Sequence, residues 1–543
     1  MVNNDSSQLL WQRWRTGLPV EHRWAAFLNP IWQAAWEILP LLVLYYLLDR
    51  SFRLVGQLGP ASYETPWLLP ELLRSLWRQP LVLFGLTGLL IASRRRLLTR
   101  WSTLENGRTW RLIVVLVAML AVWPLSTYDV NLYFGYTHLA DRLLLLACAA
   151  LMVWRPIFLL PLLFLFQVML KQFDYPLGNY PWTEINLILR SLTLALAALL
   201  LYFATGRKQF ANFCFLLFCL IAAQYFRGGF HKLRIGWILH PHLNLLMHGA
   251  WAMGWARFLP AESWARLIQM VSAANVPLML FALIVEAGAI LALWRRRWLP
   301  WFLFGWMTLH GGIFLYSGFF FWKWMGLELI LLLTLFWRKQ PVELPIFSRP
   351  YFLFSLLLIS LGRILFGAPN LSWFDTPLAY DYEFEVVGAS GAVYDLPPSQ
   401  LSYYNDGFVL GIFDQLTAEP QLTNAYAVTN DPQMAADLIA AHSVADILTL
   451  EAQFPASTYD EARVAAMDDF LRRYLGHWNE PAAPTLLLCQ IPSPPHLWSF
   501  AEHTVFSEQE PAARVDIYQT VSFYYDGEIR PVRRTLIHSV AIP

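Results

Sequence analysis

The chain has 543 residues, 57% of them hydrophobic and only 14% charged, with a net charge of +1. Soluble domains carry about 25% charged residues, so this composition excludes an ordinary water-soluble globule and points to a polytopic membrane protein. No basic patch stands free of the apolar runs, which argues against nucleic acid as a partner and for membrane lipid.

Residues 1–30 carry Arg13, Arg15 and Arg23 ahead of the first apolar run and have no small-residue cleavage site. They read as a retained cytoplasmic segment, not a signal peptide. Apolar runs follow at 31–48, 81–92, 112–125, 143–154, 157–170, 185–204, 210–226, 276–293, 299–316, 319–336 and 352–366. Several are short for a perpendicular helix, and about nine to eleven spans are expected over residues 31–366. Pro156 marks either a hairpin between two spans or a kink within one. The basic loops "SRRRLLTR" (93–100), "GRKQ" (206–209), "WRRRW" (294–298) and "WRKQ" (337–340) all face one side if there are eleven spans. The positive-inside rule makes that side cytoplasmic, together with the N-terminus. Loops 171–184 and 227–275 and the C-terminal tail then lie outside, at a cell membrane crossed many times.

From residue 371 onward there are 23 Asp and Glu against 7 Arg and no Lys. "YDYEFEV" alternates, with Tyr380, Tyr382, Phe384 and Val386 on one face of a strand. Asp526-Gly527 signals a type I′ hairpin, and Asn405-Asp406-Gly407 another turn. "TYDEARVAAMDDFLRRYLGHW" is helical, with Ala462, Ala465, Met467, Phe470 and Leu475 inward and Asp460 or Thr458 as cap. Residues 378–543 are therefore expected to form a smaller extracytoplasmic, β-rich α+β domain. The fold class is a polytopic α-helical membrane domain followed by that domain. Cys148, Cys214 and Cys219 lie in apolar segments and Cys489 stands alone in the tail, so no disulfide framework or zinc spacing exists.

The most informative stretch is "QYFRGGFHKLRIGW", 224–237. On a helix, Tyr225, Gly228, Gly229, Lys232 and Gly236 share a face. Small residues there let a second helix approach closely. Lys232 would then point into a partly dry interior, where desolvation disfavours an ammonium and makes a lysine usable as a base. The competing reading is that Lys232, with Arg227 and Arg234, snorkels to the membrane interface.

"YFRGGFHKL" followed by Trp237 resembles a segment of the vitamin K-dependent carboxylase and its bacterial relatives, the horizontally transferred transmembrane domain (HTTM) proteins. "IVEAGAIL" (284–291) and "TLHGGIFLYSGFFFWKWMGLELIL" (308–331) are similar to later helices of that family. The resemblance implies a carboxylase-like transmembrane domain over 31–366. It also implies that Lys232 is the base that starts oxygenation of a reduced, vitamin K-like quinone, after which a glutamate side chain loses a proton and gains CO₂. Tyr225, Gly228, Gly229 and Trp237 then fall where the cofactor is held, and an extracytoplasmic peptide or protein is the substrate. The family's "W-N-N-H" stretch has its best counterpart in "PWTEIN" (181–186), with Ile185 in place of the His. The family's disulfide between membrane and luminal regions cannot form as such here, because the tail has only Cys489 and the outer loops have no cysteine.

Intramembrane ionisable residues are functional candidates by default. Glu286 and His310 both sit mid-run and are read as catalytic partners of Lys232, against the alternative of buried structural residues. Arg190, Lys323, Glu328 and Arg363 are read as structural ion pairs. "HPHLNLLMH" places His240, His242 and His248 without an interleaved carboxylate, so loop or interface histidines are expected in place of a metal site. Two function classes stand. One is a carboxylase-like membrane enzyme of carbon–carbon lyase or ligase type. The other is a non-catalytic membrane scaffold with an extracytoplasmic interaction domain. A transporter lacks the inverted repeat it would need.

Overall fold

The computed structural model describes residues 20–128, 130–178, 183–337, 342–404, 408, 413–453, 459–480, 491–500, 503–506 and 510–543. The expected turn at 405–407, most of the basic loop 337–340, Thr458 and Cys489 lie outside the described residues, as does residues 1–19 of the N-terminal segment.

The first part of the chain forms α1 (Val20–Gly56), α2 (Leu69–Trp77), α3 (Pro80–Ser93), α4 (Gly107–Thr127), α5 (Leu139–Trp154), α6 (Leu159–Lys171), α7 (Thr183–Thr205) and α8 (Phe210–Arg234). After a loop come α9 (Leu246–Ala252), α10 (Ala261–Ser272), α11 (Asn275–Ala287), α12 (Trp298–Ser317), α13 (Trp322–Leu331), α14 (Arg349–Ser360) and α15 (Gly362–Phe366). Helix α8 is the hub. It packs against α1, α7, α11, α14 and α15, and its stretch from Phe213 to Ala223 is buried on every side. A helix that is apolar all round can be stable only when covered in this way.

Among the described residues, five helical stretches are long and apolar enough to cross a bilayer: Asn29–Gly56, Gly107–Thr127, Pro156–Asp174, Ile185–Thr205 and Phe210–Arg234. Two bent pairs, α2 with α3 (97°) and α10 with Asn275–Leu291 (68°), raise the number to seven if each is one span. Counting apolar runs led to nine to eleven because a run shows hydropathy but not where the helix breaks. Helix α5 has 16 residues and α14 has 12, and a bend falls between α2 and α3 at Pro80. Pro156 marks a hairpin: Arg155 is extended, and α5 and α6 pack on each other as separate helices.

The tail folds as a four-stranded antiparallel sheet in the order β3-β2-β5-β6, with β1 (Phe374–Asp375) paired separately to β4 (Val428–Thr429). Strand β2 is Leu378–Gly388, β3 Val393–Asp395, β5 Ala512–Tyr525 and β6 Glu528–Ala541. Tyr380, Tyr382, Phe384 and Val386 are buried, as their alternation implies. Tyr525 pairs with Glu528 across Asp526-Gly527, both at positive φ (50° and 77°), which is the type I′ geometry. Helix α16 (Pro432–Ala440), α17 (Val444–Gln453) and α18 (Glu461–Asn479) cover the sheet. Asp460 caps α18 by accepting from the backbone N–H of Ala462 and Arg463. Its buried face is Val464, Met467, Phe470, Leu471, Tyr474 and Leu475; Ala462 and Ala465, expected inside, are exposed. The larger apolar residues win the inward stripe because they remove more area from water.

The tail packs against the helices. Tyr404 meets Phe173, Tyr133 stacks on Phe470, and one continuous apolar core joins the helices to α18. Loop 235–274 is the second contact. His242 Nδ1 lies 3.0 Å from Asp375, Arg257 bonds Asp381 at 3.0 Å, and a Cβ on Gly249 would sit 2.1 Å from the Tyr426 carbonyl oxygen. Loop and tail touch, so they lie on one side of any bilayer the helices cross.

His248 belongs to this junction. Its Nε2–H donates to the Ser522 carbonyl on β5 at 3.3 Å, and its buried Nδ1 has no partner among the described residues. Burial pushes its pKa down to about 4, the Ser522 bond opposing only in part. The unfolded chain takes up a proton near the ordinary histidine value, about 6.5, and the folded chain does not. Stability contributed here is therefore present above that value and lost as pH falls towards 4, by about 3 kcal/mol over the window. The thermal midpoint in detergent should fall between these pH values and fall less in His248→Gln. An identical slope in both proteins would remove His248 as its origin.

Candidate functional site

Helix α8 carries Tyr225, Gly228, Gly229 and Lys232 on one face, and α11 closes onto that face. Gly229 sets the distance: a Cβ there would lie 2.3 Å from the Ala287 backbone nitrogen and 2.8 Å from the Glu286 carbonyl carbon. No side chain fits, so the two backbones meet at the glycine. Gly228 is less tight, with its nearest neighbours at 3.5 to 3.9 Å, among them a carboxylate oxygen of Glu286. Gly236 is not on the face. It sits beyond the end of α8 at φ 70°, where a glycine ends a helix.

The approach brings Lys232 and Glu286 together. Lys232 Nζ donates to both carboxylate oxygens of Glu286 at 2.7 Å, and the two side chains are only 14% and 11% exposed. The ammonium also lies 5.0 Å from the Trp237 ring centre, within cation–π range. Lys232 therefore does not snorkel to solvent. Arg227 reaches Asn370 at 2.7 Å and Arg234 reaches His231 at 2.7 Å, both on the more exposed edge.

A second group lies further back along α8. The Tyr225 hydroxyl donates to Glu328 Oε1 on α13 and lies 3.4 Å from His310 Nδ1 on α12. The Tyr225 ring stacks on Trp306 at 4.4 Å and 3°, and Trp324 packs edge-on. His310 stacks on Phe321, against which His496 of the tail also packs. Glu328 Oε2 is buried with no partner among the described residues. Glu328 was read from sequence as half of a structural ion pair. Among the described residues it makes none, and a tyrosine holds it instead. Sequence reasoning thus missed Glu328 as a member of the site. Its signal was a carboxylate within an apolar run. Arg190 likewise bonds the carbonyls of Phe366 and Gly367 and, among the described residues, no carboxylate.

His310 is thus joined to Tyr225 and not to Lys232, so the expected catalytic set falls into two buried polar groups. Lys232 with Glu286 and Trp237 forms one, and Tyr225 with Glu328 and His310 the other. Pro181 and Trp182 of "PWTEIN" lie outside the described residues; Ile185 is buried in the core. His242 and His248 are held by Asp375 and Ser522 of the tail, as interface histidines are. Among the described residues, Glu385, Asp395 and His503 bring three ligand-type atoms within 4.8 Å of one another. Arg534 already holds Glu385 and His503 already bonds Asp395.

No protein-family model, no curated protein and no solved structure matches the chain. Fold and site therefore define the class by themselves: a helical chain with apolar helices of bilayer-spanning length, a C-terminal sheet docked on it, and two buried polar groups along one central helix.

Proposed function

We propose that the chain is a multi-pass membrane enzyme of the HTTM, carboxylase-like kind that its 224–237 segment resembles. In this reading the N-terminus is cytoplasmic and the tail extracytoplasmic, and Lys232 is the base. The observation that carries the proposal is the Lys232–Glu286 pair buried at a glycine-made helix contact. Burying two charges costs several kcal/mol per ion before their attraction offsets it, and intramembrane ionisable residues are kept chiefly where they act. Proton transfer from Lys232 Nζ to a Glu286 oxygen would convert the ion pair to a neutral amine and acid. The free amine is then poised to take a proton from a bound hydroxyl. Tyr225, with His310 against its hydroxyl, holds Glu328 Oε1 and leaves Oε2 to accept a hydrogen bond.

Those residues fit a reduced quinone, whose hydroxyl can donate to an orphaned carboxylate oxygen beside aromatic walls. When bound, such a cofactor supplies the reducing electrons for oxygenation that allow a glutamate or other external substrate to be modified. Mass spectrometry of lipids co-purified with the full chain tests this. A quinone at near-equal molar amount is expected in the wild type, and its complete absence would sink the quinone assignment. Sidedness has its own test. In a Cys489→Ser background, Ala445→Cys on α17 should react with an impermeant thiol reagent in intact cells, and Arg95→Cys should be protected. The reverse pattern inverts the topology.

The second reading, a non-catalytic scaffold, is favoured by one feature. Glu286 takes both hydrogen bonds from Lys232, so the pair satisfies itself.

A further inference from the structure

A cavity of about 230 Å³ opens among the ends of α1, α6 and α7, away from the Lys232 site. Its floor is apolar, with Phe52, Leu163, Leu170 and Leu189 all buried. Its rim carries three cations, Arg53, Lys171 and Arg190, and one carboxylate, Asp49. Arg53 pairs with Asp49, and Lys171 pairs with Asp174 at 2.5 Å. Arg190 commits Nη1 to the carbonyls of Phe366 and Gly367. Among the described residues, three cations against these two carboxylates leave one positive charge.

Three neutral hydrogen-bonding side chains complete the lining: Gln167, Asn186 and Thr193. None makes a side-chain hydrogen bond to a described residue, although Thr193 is only 3% exposed. A buried threonine on a helix would ordinarily bond the carbonyl one turn back. Unpartnered donors beside surplus positive charge, over an apolar floor, are the complement of an anion attached to something greasy.

We infer that this cavity binds a phosphoryl group of single negative charge, as a phosphodiester presents. Arg53, Lys171 and Arg190 supply the charge, and Gln167, Asn186 and Thr193 the neutral hydrogen bonds. The source is the headgroup of an anionic phospholipid, seated where three span-length helices meet, or a soluble phosphate ester. The inference rests on those helices lying in a bilayer and not on any role of Lys232.

The test uses the full chain in nanodiscs of phosphatidylglycerol or of phosphatidylcholine, followed by delipidation and native mass spectrometry. Phosphatidylglycerol should stay bound to the wild type. Arg53→Gln/Lys171→Gln should lose about tenfold or more of that occupancy, since it removes two of the three cations that meet the headgroup. Retention that inorganic phosphate does not reduce assigns the site to lipid; displacement by phosphate assigns it to a soluble ester. Equal retention by variant and wild type overturns the site, as does no preference between the two lipids with no effect of phosphate. If the double variant unfolds, Arg53→Gln alone is read, because that side chain is 50% exposed and lies at a helix end.

Discussion

Lys232→Arg should keep the protein folded and abolish its activity, whereas Lys232→Ala should lose both. The difference lies in what each change does to Glu286. Alanine leaves a buried carboxylate with no partner, and breaking a buried pair in this way costs about 3–5 kcal/mol. Arginine can still donate two hydrogen bonds to both oxygens, so the charge stays matched and the thermal midpoint should stay near that of the wild type. A guanidinium does not give up its proton, so it cannot act as a base. Removing a general base lowers a rate by about 10²–10⁴-fold. Lys232→Met combined with Glu286→Leu provides the converse control. Replacing both charges by apolar groups of similar volume should restore stability without restoring activity. The readout is any activity or phenotype that a deletion of the chain removes, measured beside the thermal midpoint in detergent. Full activity in Lys232→Arg would leave the pair as a strut and favour the scaffold reading. That outcome would not touch the phosphoryl cavity, which shares no residue with this site.

What the sequence made legible follows from period. A 3.6-residue repeat puts Tyr225, Gly228, Gly229 and Lys232 on one face without any knowledge of the fold, and Glu286 stood out as a carboxylate in an apolar run. The hairpin at Asp526-Gly527 and the cap at Asp460 were legible for a different reason, since each is decided within four residues. Glu328 carried the same signal but not its role, because its partner Tyr225 is 103 residues away and only packing brings them together. The docking of the tail was hidden likewise: nothing local joins His242 to Asp375, 133 residues on, until the fold buries both. Gly236 was misplaced because helical spacing continues on paper past Arg234, where the backbone has already turned to positive φ.

The two adjacent glycines should respond oppositely to one added methyl group. At Gly229 the new Cβ would meet the backbone of Ala287 and Glu286 at 2.3 to 2.8 Å. Backbone atoms within a helix cannot rotate away, so α8 and α11 must separate. Overpacking of this kind costs about 1–3 kcal/mol or more. The separation also lengthens the Lys232–Glu286 contact, which spans the same two helices, so activity should fall along with stability. At Gly228 the nearest atoms are 3.5 Å or further, an ordinary contact. Alanine there replaces the poorer helix former and gains about 1 kcal/mol of helix propensity, so Gly228→Ala should be neutral or slightly stabilising. Thermal midpoints of the two single variants in the same detergent decide the matter. Tolerance at Gly229 equal to that at Gly228 would mean that α11 does not close on α8 at this residue, and the buried pair that carries the functional reading would lose its geometric basis.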